Sequence, residues 1–270
     1  MIVDLWVNVL SPEGASEFLA RPGFSDIETF FGTSIAGGVT QRALLDEMDR
    51  LGVDRAVLNS GLSTVDTAAA GLARKHPDRL ALAVTVDDPQ RPRRQSAEVR
   101  ARAADDAVVL VRVTPLVHQY PLNHALYYPV YATCEELGIP VSINIGVPGP
   151  RVRSACQHPS LLEDVLIDFP DLVVIGAHMG HPYEELLIEY MLKWPNLYLS
   201  NSAYSARYLH PSLVRFMASW RGRGRLMFAS DHPFLPLERA LPAARQPSLP
   251  AEALDDFVGN AAARVLKLVG

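Results

Sequence analysis

Short β-rich runs alternate with amphipathic helical stretches along this whole sequence, and no other feature narrows its fold so far. The runs fall at 2–9, 53–60, 80–87, 107–114, 140–146, 172–178, 196–202 and 225–231. Between them, 40–51, 65–76, 92–104, 123–137, 160–169, 182–194 and 211–220 carry the 3.6-residue period of helices, and the tail 250–269 adds another. Eight strands alternating with helices predict an α/β fold of the (β/α)8 TIM-barrel kind, which typically takes about 250 residues. The chain has 270 and shows no internal repeat, low-complexity tract or linker, so residues 1–270 read as a single barrel domain. One connection, 10–39, is longer than a turn requires and is expected to lie over the barrel mouth.

Composition excludes several classes of function. A net charge of −5 without a basic face disfavours nucleic acid and anionic lipid, both of which need clustered positive charge. No run of uncharged apolar residues is long enough to span a membrane, and Met1 leads into Ile2-Val3-Asp4 without a basic leader, so a cytoplasmic protein is expected. Two cysteines, Cys134 and Cys156, are too few for a disulfide framework or a thiolate zinc site. A small-molecule substrate is the expected partner.

In a (β/α)8 barrel chemistry gathers at the C-terminal ends of the strands. Of the eight histidines, His118, His124, His158, His178, His181, His210 and His232 fall between a strand end and the next helix, and only His76 falls on the opposite face. Five stand before proline, where an extended residue preceding a helix-opening proline explains the pair locally, and His158 and His210 are expected in that role. Strand alternation adds a second signal. Asp4, Trp6 and Asn8 share one parity, and Asn59, Thr85, Asp87, Arg112, Thr114, Ser142, Asn144, His178, Ser200, Ser202 and Asp231 fall on the inward faces predicted for the other strands. A structural barrel would fill such positions with branched apolar side chains, so this polar ring points to catalysis or ligand recognition.

Three segments carry a family resemblance. DLVVIGAHMGHP at 171–182 resembles the strand-six motif of the amidohydrolase superfamily, RLMFASDHP at 225–233 its strand-eight motif, and VGNAAARVL at 258–266 its closing Asn-Ala segment. With Ile2-Val3-Asp4 at the start, the resemblance covers essentially the whole chain. It points to the amidohydrolase-related branch that includes aminocarboxymuconate semialdehyde decarboxylase and aromatic-acid decarboxylases, and it makes a homodimer plausible. The family's metal site takes a His-x-His pair from strand one and a further histidine from strand five. Here those places hold Trp6-Val7-Asn8 and Asn144, leaving His178 and Asp231. Asparagine amides are weak substitutes for imidazole, so no metal cofactor is expected. A residual zinc would draw on His178 and Asp231 and recruit His181 or His232.

The resemblance and the surviving residues together predict a metal-independent hydrolase of a small carboxylate or carbonyl compound: a lactone, ester, amide or β-diketone. Asp231 would activate water, with His178 and the amide of Asn144 or Asn8 steadying the oxyanion, and an unoccupied His178 would hydrogen-bond Asp231. The branch that hydrolyses pyrone-dicarboxylate lactones offers a metal-free precedent. Arg112 is expected to clamp a substrate carboxylate or else to pair with Asp87, Trp6 to stack on a planar substrate, and Tyr204, His181 and His232 to touch it from the mouth. The alternatives are a metal-assisted decarboxylase, or a cyclase, isomerase or dehydratase of a biosynthetic intermediate. A ligand-binding protein without turnover is the remaining class.

Overall fold

The computed structural model of the protein describes residues 1–63 and 67–268. Val65 and Val269, where the sequence reading opens one helix and closes the last, lie outside the described residues. Eight parallel strands follow chain order around one sheet: β1 (Val3–Val7), β2 (Arg55–Gly61), β3 (Leu80–Thr85), β4 (Val108–Val113), β5 (Val141–Asn144), β6 (Val174–Ala177), β7 (Leu197–Ser200) and β8 (Leu226–Met227). The last strand meets the first. Leu5 donates its amide to the Phe228 carbonyl at 3.1 Å, Asp231 to Trp6 at 2.9 Å and Asn8 to His232 at 2.8 Å. The fold is a TIM barrel of the expected α/β class. Among the described residues no helix is long and apolar enough to cross a membrane.

Alternation along the strands divides the apolar residues into two layers. Leu5, Val57, Ala83, Leu110, Ile175 and Met227 fill the barrel with Ala261 and Leu266 of the tail, whereas Leu58, Leu82, Val113, Ile143 and Leu199 meet the surrounding helices. The tail closes the barrel floor at close quarters. A Cβ on Gly259 would stand 2.3 Å from the Met1 carbonyl oxygen, so only glycine fits there. The tail is interrupted by a π-turn over Asp256–Asn260 and its helix ends at Val265.

The eighth surrounding helix is Leu237–Ala244, which the sequence reading leaves as loop. Its internal Pro242 and the nearby Pro233 and Pro236 are helix-breaking signals, overridden by five buried apolar side chains on one face. Segment 10–39 also has structure of its own, with helices Pro12–Leu19 and Ile27–Phe31. His158 and His210 open helical turns as local reasoning expects. Each accepts an amide hydrogen bond at Nδ1, from Ser160 at 3.2 Å and from Ser212 at 3.4 Å.

Candidate active site

At the C-terminal ends of the strands lies a cavity of about 510 Å³. Its floor is built from Trp6 of β1, Asn8 just after it, Asn59, Thr85, Asn144, His178 and Asp231, and Tyr204 stands on its wall. The register of β1 explains part of this arrangement. Asp4 pairs with Ala56 but Val7 with Leu58, so β1 carries one extra residue, and Trp6 and Asn8 turn to the cavity without Asp4. The buried Asp4 carboxylate instead accepts the amides of Ser230 at 2.9 Å and Trp6 at 3.1 Å, joining β1 to β8. Burial raises its pKa to about 6.

Two residues reach the floor through unusual backbone. Ile175 and Ala177 point into the barrel, so simple alternation would send residue 178 outward. His178 has φ 60°, in the left-handed region, which turns its ring back towards the cavity, and Asp231 has φ 61°. Such conformations cost a non-glycine residue about 1–3 kcal/mol and concentrate where function requires a side-chain position.

A directed hydrogen-bond chain orients the floor. Thr85 Oγ1 donates to Asn59 Oδ1 at 2.6 Å, and Asn59 Nδ2 donates to Asn8 Oδ1 at 3.3 Å. Asn8 Oδ1 also accepts from Trp6 Nε1 at 3.2 Å, and Asn8 Nδ2 donates to Asp231 Oδ1 at 2.8 Å and to the His232 carbonyl at 3.1 Å. Trp6 Nε1 can only donate and a carbonyl can only accept, so the orientation of Asn8 is fixed. On the other side, His178 Nδ1 lies 2.9 Å from the Ser202 carbonyl oxygen, which requires the proton on Nδ1. Its Nε2 is then an acceptor for Asn144 Nδ2 at 3.0 Å. The remaining amide oxygen of Asn144 is buried with no hydrogen-bond partner among the described residues.

Burial pushes the Asp231 carboxyl up to about 7, opposed by the Asn8 hydrogen bond and the Arg112 charge and reinforced by Asp4. Burial takes His178 down to about 4, so its imidazole is neutral near pH 7. The pair expected from the sequence therefore shares one cavity with its acid–base states set apart. No hydrogen bond joins the two among the described residues: His178 is tied to Asn144 and Ser202, and Asp231 to Asn8.

Other expected contacts are corrected by the coordinates. Arg112 does not line the cavity and does not pair with Asp87, whose carboxylate holds Ser63. Completely buried, it donates Nη2 to the Leu5 carbonyl at 2.7 Å and stacks 3.6 Å from the Trp6 ring centre. Asn8 cannot present an N–H group to an oxyanion, because both its amide hydrogens are taken, by Asp231 and the His232 carbonyl, whereas Asn144 gives one to His178 and keeps the second. His232 does not line the cavity: its Nδ1 accepts from Leu237 at 3.4 Å at the start of the eighth surrounding helix. Burial lowers its pKa to about 4. His181 also stands off the cavity, with Nδ1 2.7 Å from Glu184 Oε1 and its ring 5.2 Å from that of Tyr204. Residues the sequence reading misses form the roof: Phe18, Phe24, Ile27, Phe30 and Phe31 of segment 10–39, with Phe234. The length of segment 10–39 placed it over the mouth, and the further signal for these side chains was density, four of the chain's nine phenylalanines falling within that segment.

The amidohydrolase family profile matches residues 37–268. The chain belongs to the amidohydrolase family. No curated protein sequence matches it. Its fold is similar to that of an uncharacterized TIM-barrel protein from Bordetella bronchiseptica, with a TM-score of 0.79, 21% identity and coverage of 99% of this chain and 98% of that one. It is similar to 5-carboxyvanillate decarboxylase from Novosphingobium aromaticivorans, solved with manganese and 4-hydroxy-3-methoxy-5-nitrobenzoic acid: TM-score 0.75, 17% identity, 99% and 96% covered. A third similar structure is 2,6-dihydroxybenzoate decarboxylase from Rhizobium, with a TM-score of 0.74, 16% identity and coverage of 100% and 99%.

The manganese in one of these structures raises the question of whether this floor fits a divalent ion. Among the described residues no group of three His, Cys, Asp or Glu side chains is placed to hold one. His178 Nε2 is bonded to the amide of Asn144 and Asp231 Oδ1 to that of Asn8, which leaves Asp231 Oδ2 as the unengaged oxygen of the pair. A divalent ion would have to break the His178–Asn144 bond and make up its shell from amide oxygens, of which Asn8 Oδ1 already has two donors. The donor set does not fit the metal.

Proposed function

We propose that the protein is a lyase that releases carbon dioxide from a hydroxylated aromatic or conjugated carboxylic acid, with Asp231 supplying the proton that replaces the carboxyl group. The observation that carries the reading is the state of Asp231. Its pKa of about 7 keeps a large share of it protonated at neutral pH, and only one of its oxygens is engaged, by Asn8. Two similar structures are decarboxylases of hydroxylated benzoic acids, and the lyase alternative thus has support that hydrolysis lacks. Hydrolysis also needs free donors at an oxyanion, and Asn8, the amide beside Asp231, has both of its N–H groups engaged.

In this reading the substrate ring lies against Trp6 and Asp231 transfers its proton to the ring carbon that bears the carboxylate. An ortho or para hydroxyl of the substrate stabilises the protonated ring. The bond from ring to carboxylate then breaks, its electron pair returns to the ring, carbon dioxide leaves, and solvent reprotonates Asp231. His178, neutral and held by Ser202 and Asn144, fixes the other side of the floor without placing a second charge beside the reacting ring. The Asn144 amide oxygen is an acceptor suited to a substrate hydroxyl.

The test is carbon dioxide release from a panel of mono- and dihydroxybenzoates in deuterium oxide, followed by mass spectrometry of the product. One deuterium on the ring carbon that lost its carboxylate, absent with Asp231→Asn, is the expected result. Turnover of lactones or esters without carbon dioxide release would overturn the reading.

A further inference from the structure

The cavity is much larger and more divided in polarity than a one-ring acid requires. Its 510 Å³ lies within the roughly 300–1,000 Å³ of pockets that enclose drug-sized molecules. Hydrogen-bonding side chains are gathered on the strand ends of the floor, and the facing roof is aromatic. The roof is already assembled: Phe18 and Phe24 pack edge to face with centroids 5.0 Å apart, and Phe234 lies 5.1 Å from Phe18 and 5.7 Å from Phe31.

The roof is also fastened to the far rim. Arg151 donates its amide to the Gly23 carbonyl at 2.8 Å and pairs with Asp26 at 2.7 Å, tying segment 10–39 to the loop after β5. Phe30 reaches that loop at Gly149, where a Cβ would stand 3.1 Å from its ring, so any larger residue would crowd it. Even so, Phe30 remains 57% exposed and Val147 opposite it 43% exposed, while both line the cavity. Apolar surface facing water at the rim of a pocket gains about 25 cal/mol per Å² when a ligand covers it.

We infer that the substrate carries an apolar extension on its reacting ring, an alkyl chain or a second ring, and that segment 10–39 selects for it. The inference rests on the reading of this cavity as the active site of a lyase. The ring lies on the polar floor, and the extension runs beneath Phe31 and Phe234 towards Phe30. Specificity therefore comes from the segment between β1 and its helix, while the chemistry stays on the strand ends, the division of labour a barrel permits.

The experiment is calorimetric titration of the full-length protein with 2,4-dihydroxybenzoate and its 6-methyl, 6-propyl and 6-pentyl homologues, each also assayed for carbon dioxide release. Affinity is expected to rise about fourfold per added buried methylene. The exposed position of Phe30 makes Phe30→Ala safe for folding, and this variant is expected to flatten the chain-length gradient. A flat or falling gradient in the wild type overturns the inference. A rising gradient without carbon dioxide release upholds the extension and overturns the lyase reading. Equal release from every homologue with a flat gradient does the reverse. If no acid binds, the same gradient is read between 3-methylphenol and 3-pentylphenol, which keep the ring and chain without the carboxylate, and its absence there overturns the inference.

Discussion

Asn8 Nδ2 donates to Asp231 Oδ1 at 2.8 Å, joining the end of the first strand to the end of the eighth across 223 residues of chain. The bond stabilises the charged form of Asp231 against burial, and the rest of Asn8 is held by Trp6, Asn59 and the His232 carbonyl. Asn8→Ala removes that support. The alkaline limb of turnover, where Asp231 loses its proton, is then expected to move upward from about 7, because a hydrogen bond that favours the carboxylate is lost. A hydrogen bond to a charged group contributes about 1.5–3 kcal/mol, so the limb should move by about one unit or more. The pH dependence of kcat/KM checks this, and an unmoved limb would detach Asn8 from the proton chemistry.

Stability and activity should part company at Asp231. Its folded-state pKa of about 7 exceeds the ordinary 3.8, so its contribution to stability is complete below pH 3.8 and lost as pH rises through about 7. His178 and His232 run the other way: lowered from 6.5 to about 4, they contribute above pH 6.5 and lose that contribution as pH falls through about 4. Asp231→Asn removes the first effect alone and keeps an acceptor for Asn8. Relative to wild type it is expected to gain stability between pH 4 and pH 8, by up to roughly 4 kcal/mol. Its turnover should fall by about 10²–10⁴-fold. Urea denaturation at the two pH values reads the first effect, and an equal stability difference at both would contradict it.

The barrel was legible because strand and helix periods differ and repeat, and Asp231 because Met227, Ala229 and Asp231 follow simple alternation into the barrel. His178 was placed inward by alternation and by its family motif, but Ile175 and Ala177 hold the inward parity, so it reaches the cavity only through its left-handed backbone. The partners of the site residues were not legible. Whether Asn8 and Asn144 offer N–H or C=O to the cavity depends on what the other half of each amide meets, and those neighbours lie on strands distant in sequence. Arg112 was placed on the correct face of its strand, but its depth below Trp6 is set by packing across the barrel. The eighth surrounding helix was hidden by Pro242, whose local preference lost to tertiary burial.

Arg112 is expected to matter without touching substrate. Burial lowers its pKa to about 9, which leaves it charged at neutral pH, between the carboxylates of Asp4 and Asp231 and against the ring of Trp6. Arg112→Met keeps volume but removes the charge and leaves the Leu5 carbonyl without its donor. Removing one partner from buried charges costs about 3–5 kcal/mol. The midpoint of thermal unfolding should fall accordingly, and Asp231 should titrate higher in whatever folded protein remains, because Arg112 lowers its pKa. Wild-type stability in this variant would show that Arg112 is mere filling.

The last prediction concerns metal. Decarboxylase structures of similar fold were solved with manganese. Here the imidazole nitrogen that would ligate such an ion is bonded to the Asn144 amide, so metal binding would forfeit that hydrogen bond for a shell of one imidazole and one carboxylate. Protein purified without a chelator or histidine tag from zinc- and manganese-supplemented culture is expected to carry well under one equivalent of either metal by elemental mass spectrometry. Ligand affinity should be unchanged by chelator treatment. One stoichiometric ion per chain, lost on chelation together with affinity, would mean that Asn8 and Asn144 swing away in solution and that His178 and Asp231 are ligands. Restoring histidine at position 8 and at position 144 gives the converse measurement. Imidazoles there would free His178 Nε2 and Asp231 Oδ1 from their amide partners, and manganese affinity should rise by orders of magnitude in the double variant if the asparagines are what keep the metal out.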